Sequence, residues 1–379
     1  MQHNKLSLLL PVALLLSNPS LAATDQDRIK ALEEQVEALA EALENDDSES
    51  TSKENRVHIG GYGELHYNNL DQNGEDKREL DLHRMVLFFG YDFNERARFI
   101  SEFEVEHIIA SGGSRGAVEV EQVYVEMDLK DNMHLQTGVM LMPIGIINET
   151  HEPPTFYGVE RPVVETTIIP TTWWSAGLGF THKLDNGIRY DVMLTEGLKT
   201  EDPNSVSSAE PFNIKKGKQK SSFADAFDLA VTGRVKYTGV PGLELAAYAQ
   251  YQPDLDQSAR ESYAESATLL GGHAIYQFND VTAKALYARW DLAGDEAKTA
   301  GKDLQDGSYV ELAWRPTERW GVFARQSAWS QSSSEDSAQT DVGLNFYPFK
   351  DIVFKADYQL QNDDAGDADG FNLGFGYQF

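Results

Sequence analysis

The final nine residues of the chain, FNLGFGYQF, restrict its fold more than any other stretch. Phe371, Leu373, Phe375, Tyr377 and Phe379 alternate with Asn372, Gly374, Gly376 and Gln378. Successive side chains of a strand point to opposite faces. One face is therefore a row of apolar and aromatic side chains, and the other is small and polar. A soluble sheet must cover such a row with a second layer of protein. A strand of a transmembrane β-barrel covers it with hydrocarbon and needs no further element.

The compartment follows from the other end. His3 and Lys5 precede the apolar stretch Leu6 to Leu16, and Ser20-Leu21-Ala22-Ala23 supplies small residues where a signal peptidase cuts. Residues 1–22 are expected to be a signal peptide, cleaved after Ala22 or one residue later. Beyond them no apolar run is long enough for a membrane helix. Barrel strands escape hydropathy scans because half of each strand faces water. The chain has no cysteine, so it has neither a disulfide scaffold nor a thiolate metal site. That is compatible with the outer membrane of a Gram-negative cell.

The formal net charge is -29. Nucleic acid is excluded as a partner, since affinity there comes from cations meeting phosphates. The acids crowd predicted loops, as in Asp71 to Asp76, Glu261 to Glu265, Ser332 to Asp341 and Asn362 to Asp369. Two readings remain open: a solvated acidic surface, or a bias favouring cations near a pore mouth.

Residues 25–44 change period. Ile29, Leu32, Val36, Leu39 and Leu43 fall at alternating steps of three and four, the seam of a coiled coil. A lone helix this short is marginal in water, so a partner is implied. A trimer would match a trimeric barrel, although the seam residues do not fix the number of helices. Residues 45–56 are a polar linker with the composition of disorder.

From Val57 onward the period is two. The expected fold class is all-β: a transmembrane antiparallel barrel of about sixteen strands over residues 57–379. The strands fall near 57–68, 79–92, 95–107, 117–129, 133–143, 173–184, 187–197, 223–237, 241–252, 267–278, 281–291, 306–316, 319–330, 338–348, 351–361 and 370–379. Those around 267–291 and 319–330 alternate poorly. Long connections at 69–78, 108–116, 144–172, 198–222, 253–266, 292–305, 331–337 and 362–369 alternate with short turns. That asymmetry is expected when one barrel end carries loops and the other turns. An even strand number puts both chain ends on the turn side, so residues 25–44 are expected in the periplasm.

In the strand predicted at 223–237, Phe227, Leu229, Val231, Val235 and Tyr237 share a face, with Asp228, Thr232, Arg234 and Lys236 opposite. A charge on the lipid face near midplane costs roughly 2–4 kcal/mol for Arg or Lys. The charged face must therefore line a wet lumen. The same alternation places Arg84, Arg98, Lys183, Arg189, Arg315 and Lys355 in the lumen, together with Glu102, Glu104, Glu106, Glu126, Asp128, Asp191, Glu244, Glu311 and Asp357.

The connection 144–172 is too long and too apolar for an ordinary surface loop. It carries Ile144, Ile146, Ile147, Phe156, Tyr157, Val163, Val164, Ile168 and Ile169, and prolines stiffen it. Folding back into the barrel to narrow the channel is the expected placement. A loop at a trimer interface is the alternative. Its candidate constriction residues are Glu149, His151, Glu152, Tyr157, Arg161 and Glu165.

The stretch from Glu119 to Phe180, including EQVYVEMDL, LQTGVMLMPIGIINETHEPPTFYGVERP and IPTTWWSAGLGF, resembles the phosphate-selective porin O and P family, as does GGYGELHYN at 60–68. The terminal strand ending in Phe379 is similar to the insertion signal that outer-membrane barrels present to the barrel assembly machinery. The resemblance implies a sixteen-stranded homotrimeric porin with an in-folded third loop, conducting small hydrophilic solutes or ions. Members commonly select anions such as phosphate with arginines along the lumen and lysines near the constriction. This chain departs from that pattern. Connection 144–172 contains no lysine, its possible cations are Arg161 and His151, and lumen acids match lumen bases. The sign of selectivity therefore stays open. Arginines on one wall facing acids on the other would set a transverse field, whereas cross-strand salt bridges would cancel one.

The cluster Lys215, Lys216, Lys218 and Lys220 lies in the fourth long connection. It would gather anions at the mouth, touch lipopolysaccharide phosphates, or simply be solvated. Trp173 and Trp174 are candidates for an interfacial girdle or a solute path. No metalloprotease, nucleophile-elbow or P-loop motif occurs, and the histidines are scattered. The sequence therefore predicts no catalytic residue, no metal and no cofactor. A rival reading is a plugged barrel that tethers the outer membrane through residues 25–44.

Overall fold

The computed structural model describes residues 56–107, 116–200, 211–257, 265–362 and 366–379. The predicted signal peptide, coiled-coil helix and nearly all of the linker lie outside the described residues.

Sixteen antiparallel strands form a closed barrel in which each strand pairs with its sequence neighbours. They are β1 (Val57–Gln72), β2 (Glu75–Asn94), β3 (Ala97–Glu106), β4 (Val118–Lys130), β5 (Met133–Leu141), β6 (Trp174–Lys183), β7 (Ile188–Thr195), β8 (Ala230–Tyr237), β9 (Leu243–Gln252), β10 (Ala267–Phe278), β11 (Val281–Leu292), β12 (Leu304–Thr317), β13 (Trp320–Ser332), β14 (Glu335–Phe349), β15 (Ile352–Asn362) and β16 (Ala368–Gln378). β16 closes the cylinder against β1, with Tyr62 opposite Gln378 and Gln72 opposite Ala368. The last residue takes part: Gly61 N–H donates to Phe379 O at 3.0 Å, and Phe379 N–H to Gly61 O at 2.9 Å.

The outer surface is the apolar row that the terminal strand announced. Phe371, Leu373 and Phe379 are exposed, as are Leu87, Val231, Val310, Leu344 and Phe354. Closure leaves no strand edge unpaired, which hydrocarbon requires.

Three predicted segments differ. Residues 69–78 and 331–337 are not open loops. β1 and β2 run on to a two-residue turn at Asn73-Gly74, where both residues have positive φ (57° and 82°). Such a turn matches the twist of paired strands, and Asn-Gly is suited to it. β13 and β14 likewise meet at residues 333–334. The strand expected at 223–237 begins only at Ala230, leaving Phe223 and Phe227 exposed ahead of it. Alternating apolar residues extended the pattern past the point where backbone pairing starts.

The apolar core lies inside the barrel, on one wall. Leu269, Leu286, Ala288 and Trp290 point inward and pack against Ile144, Val164, Ile168, Ile169 and Trp173 of one connection and Leu198, Phe212 and Ile214 of another. This explains the poor alternation of β10 and β11. Their inner faces meet protein rather than water, so apolar residues occur on both faces.

Candidate channel constriction

Residues 142–173 join β5 to β6 and fold into the barrel. A buried carboxylate organises the turn. Glu165 accepts the N–H groups of Ile146 and Ile147 on Oε2, at 2.7 and 2.8 Å, and the Tyr309 hydroxyl on Oε1 at 2.7 Å. One side chain thus ties the start of the connection to its short helix, α1 (Val164–Thr167), and ties both to β12. Asn148 pins the root, donating to Met142 O and Trp173 O and accepting the Trp173 N–H at 2.6 Å.

The far part of the connection reaches the opposite strands. Val159 N–H donates to Asp357 Oδ2 at 2.6 Å. Lys355 Nζ donates to Gly158 O at 2.8 Å and sits 3.5 Å from the Phe156 ring centroid. Tyr157 packs on Phe323, and its carbonyl accepts from Arg325. Glycine supplies the room. A Cβ at Gly376 would lie 2.3 Å from Pro153 Cβ, and one at Gly307 would lie 2.9 Å from side-chain carbons of both Val164 and Ile168. The polar, small-residue face of the terminal strand is therefore the seat of the loop.

His151 clamps the connection to β3 and β4. Its Nδ1 donates to Asn148 O at 3.1 Å, and its Nε2 lies 3.3 Å from Glu102 and 3.6 Å from Glu121. Burial alone would lower the pKa of this imidazole, but its bonds to the two carboxylates prevail and raise it to about 9. On β8, Arg234 bonds Asp191 at 2.8 Å and the carboxylate of Glu149. Glu152 is half-buried at the N-cap of a one-turn 3-10 helix, Pro153–Thr155.

The second inward segment was not expected. Residues 196–200 and 211–229, between β7 and β8, bury Leu198, Phe212 and Ile214. Gln305 donates to Phe212 O at 2.9 Å and Gln252 to Leu198 O at 2.6 Å. The lysine cluster belongs to this segment and is partly drawn in. Lys218 donates to Thr172 O at 2.5 Å and lies 4.7 Å from the Trp174 ring centroid, while Lys220 pairs with Glu119. Lys215 and Lys216 remain exposed on a short 3-10 helix. Trp173 and Trp174 are buried, so they form no lipid-facing girdle.

Both connections pack on the wall of β8 to β13, and the first also crosses the barrel to β15 and β16. On the long-loop side of that crossing, open space lies against the ends of β1, β2 and β14 to β16. It is a cavity of about 860 Å³ at the long-loop end, whose lining includes Glu64, His66, Asp81, Arg84, Glu160 and Arg161. A second cavity of about 350 Å³, lined by Glu126, Glu149, Arg189 and Asp191, lies along β4 to β7.

The lumen cations do not form a segregated ladder. Arg84 pairs with Glu64 (2.7 Å) and Glu104 (3.1 Å), and Arg98 with Glu126 (2.6 Å) and Asp128 (2.7 Å). Arg189 pairs with Asp191 at 2.7 Å, and Lys236 with Glu244 at 3.5 Å. Arg315 is exposed on the turn-side end of β12, 4.2 Å from the Tyr347 ring centroid. Arg325, which sequence reasoning passed over, is buried between Glu311 (3.1 Å) and Asp341 (3.0 Å). Its signal was present, because Arg325 shares the inner face of β13 with Phe323 and Ser327 while Val322, Ala324 and Gln326 face outward. Arg161 is different: Nη1 bonds Thr172 Oγ1 at 2.8 Å, while Nε and Nη2 are buried without a hydrogen-bond partner. The histidines, expected to be scattered, are partly assembled. His66 stacks on His83 at 4.6 Å, and His83 meets His107 at 5.4 Å.

Comparison with known proteins places this geometry. The sequence pattern of the family described as Phosphate-selective porin O and P matches residues 56–379, and the chain belongs to that family. An uncharacterised protein of Aquifex aeolicus (strain VF5) is 42% identical over 182 residues, covering 48% of this chain and 41% of that protein. The chain thus spans less than half the length of this relative. The anion-selective porin from Comamonas acidovorans superposes with a TM-score of 0.59 at 11% identity, covering 85% of this chain and 99% of that one. The outer membrane channel DcaP of Acinetobacter baumannii gives 0.56 at 12% identity, covering 85% and 97%. At these identities the two structures speak for a shared fold.

Proposed function

We propose that this member of the phosphate-selective porin O and P family is a passive diffusion channel of the outer membrane for small hydrophilic solutes or ions. One observation carries the reading: a long connection is packed inside a closed barrel and leaves a polar cavity of about 860 Å³ along one wall. Solutes enter at the long-loop end, which faces outward, and pass beside residues 149–165. The reading assigns no catalytic step. Anions such as phosphate are the candidates that the family's description suggests. Arg161 favours them, because its guanidinium belongs to the cavity lining.

Residues 1–22 direct export, residues 25–44 join copies of the chain in the periplasm as a homotrimer, and the strand ending at Phe379 engages the barrel assembly machinery. Lys215, which lines the larger cavity, gathers anions at its mouth. The test is conductance of the purified chain in planar bilayers. Stepwise currents are expected, with a reversal potential in a salt gradient that moves toward cations in Arg161→Ala. Absence of current from folded protein overturns the channel, and an unmoved reversal potential overturns the role of Arg161.

A further inference from the structure

We infer that Asp81, His83 and His107 form a binding site for a first-row divalent transition-metal ion such as Zn²⁺ in the wall of the larger cavity. The site arises from strand register. Glu64 pairs with Arg84 while Leu65 pairs with Leu82, so His83 is the extra residue of a β-bulge. A bulge re-aims side chains. Here Glu79, Asp81, His83 and Arg84 all line the cavity, whereas strict alternation would send one of His83 and Arg84 to the lipid. His107, just past β3, donates its backbone N–H to His83 O at 3.1 Å and joins the same lining.

The donor set has the right chemistry and spacing. Asp81 Oδ2 lies 3.2 Å from His83 Nδ1 and 2.7 Å from His107 Nδ1, and the three ligand atoms lie within 4.8 Å of one another. Tetrahedral ligands at about 2.0–2.2 Å from a zinc ion are themselves spaced by a little over 3 Å. Two imidazoles and one carboxylate suit zinc, copper or nickel better than magnesium or calcium, which take oxygen. Three protein ligands leave a fourth position open to the cavity. His66 supports the site from behind: it stacks on His83, and its own nitrogens are held by Glu64 (3.3 Å) and Glu160 (3.1 Å).

Two other carboxylate–histidine groups do not compete. Glu126, Asp128 and His134 already hold the Arg98 guanidinium, and Glu102, Glu121 and His151 are sealed beneath the in-folded connection. Asp81, by contrast, has no lysine or arginine partner among the described residues. A metal ion would thus find a carboxylate with which no lysine or arginine among the described residues pairs directly.

The test is calorimetric titration of the full chain in detergent with Zn²⁺, and with Mg²⁺ as control. It does not depend on conduction, so it stands or falls separately from the channel reading. One saturable Zn²⁺ site per chain is expected, with no Mg²⁺ binding. Asp81→Asn and His107→Gln should each weaken it about tenfold or more, and His134→Gln should leave it unchanged. Retention of the heat-modifiable barrel band shows that each variant is folded. No saturable Zn²⁺ binding by the wild-type chain overturns the site. Wild-type affinity in both folded Asp81 and His107 variants also overturns it, as does loss of binding in His134→Gln.

Discussion

Glu165 offers the sharpest test of how the in-folded connection is held. Its side chain is fully buried and acts as an acceptor for three donors at 2.7–2.8 Å, two of them backbone N–H groups on a single oxygen. Glu165→Ala removes every acceptor. Each orphaned buried donor costs roughly 1–3 kcal/mol, so three cost about 3–9 kcal/mol. The lower half is expected, because the Tyr309 hydroxyl can turn toward another partner. Glu165→Gln is the control. Its carbonyl oxygen can accept both N–H groups while its NH₂ donates to the Tyr309 oxygen, so geometry survives and only charge is lost. The barrel strands do not depend on this residue. Glu165→Ala should therefore keep a heat-modifiable barrel while residues 142–173 become sensitive to protease and single-channel current becomes larger and noisier. Glu165→Gln should behave like the wild type. The reasoning is refuted if the Ala variant conducts and resists protease as the wild type does, or if the Gln variant is as disrupted as the Ala variant.

Other predictions follow from neighbouring contacts. The raised pKa of His151, about 9 against 6.5, corresponds to about 3 kcal/mol of clamping. That contribution is complete below pH about 6.5 and is lost as pH rises to about 9, so conductance should change across this window in the wild type and stay flat in His151→Gln, as pH-stepped bilayer recordings would reveal. Gly376→Val places a side chain where Pro153 now sits, 2.3 Å from its Cβ. The overpacking, about 1–3 kcal/mol, should displace the loop and alter unitary conductance without melting the barrel. Arg325→Met leaves Asp341 without a cation on the inner wall, while Glu311 keeps Lys284 at 3.2 Å, and should destabilise the barrel by about 3–5 kcal/mol, read by thermal unfolding in detergent. Adding Asp341→Asn should recover most of the loss.

The alternation of single strands made much of the fold legible. Phe371 through Phe379, and Val231 with Val235, face outward as their period of two requires, and the sixteen segments read from the sequence fall on the sixteen strands. Turn chemistry was less legible. Asn73-Gly74 lies within acids that suggested a loop, yet it closes a hairpin whose strands run to the tip. The candidate site was legible in part. Apolar residues and prolines in 144–172 pointed to a packed segment, and the described contacts of Glu149, His151, Tyr157, Arg161 and Glu165 all lie within the barrel. The partners of those residues were not legible, because Glu102, Arg234, Tyr309 and Arg325 are far away in sequence.

A period of two needs only neighbouring residues, so the chain by itself determined a closed sheet with a lipid face and a wet face. It could not determine which stretch of the inner face stays wet. That depends on two connections laid against β8 to β13, which turn apolar inward residues such as Leu269 and Trp290 into a core, and on the crossing of the first to β15 and β16, which confines the larger cavity to the long-loop ends of β1, β2 and β14 to β16. Nor could it determine which charges meet, or that His66, His83 and His107 come into ring contact. Those outcomes follow from register and from one bulged residue, and a single step of register changes every pairing across a strand.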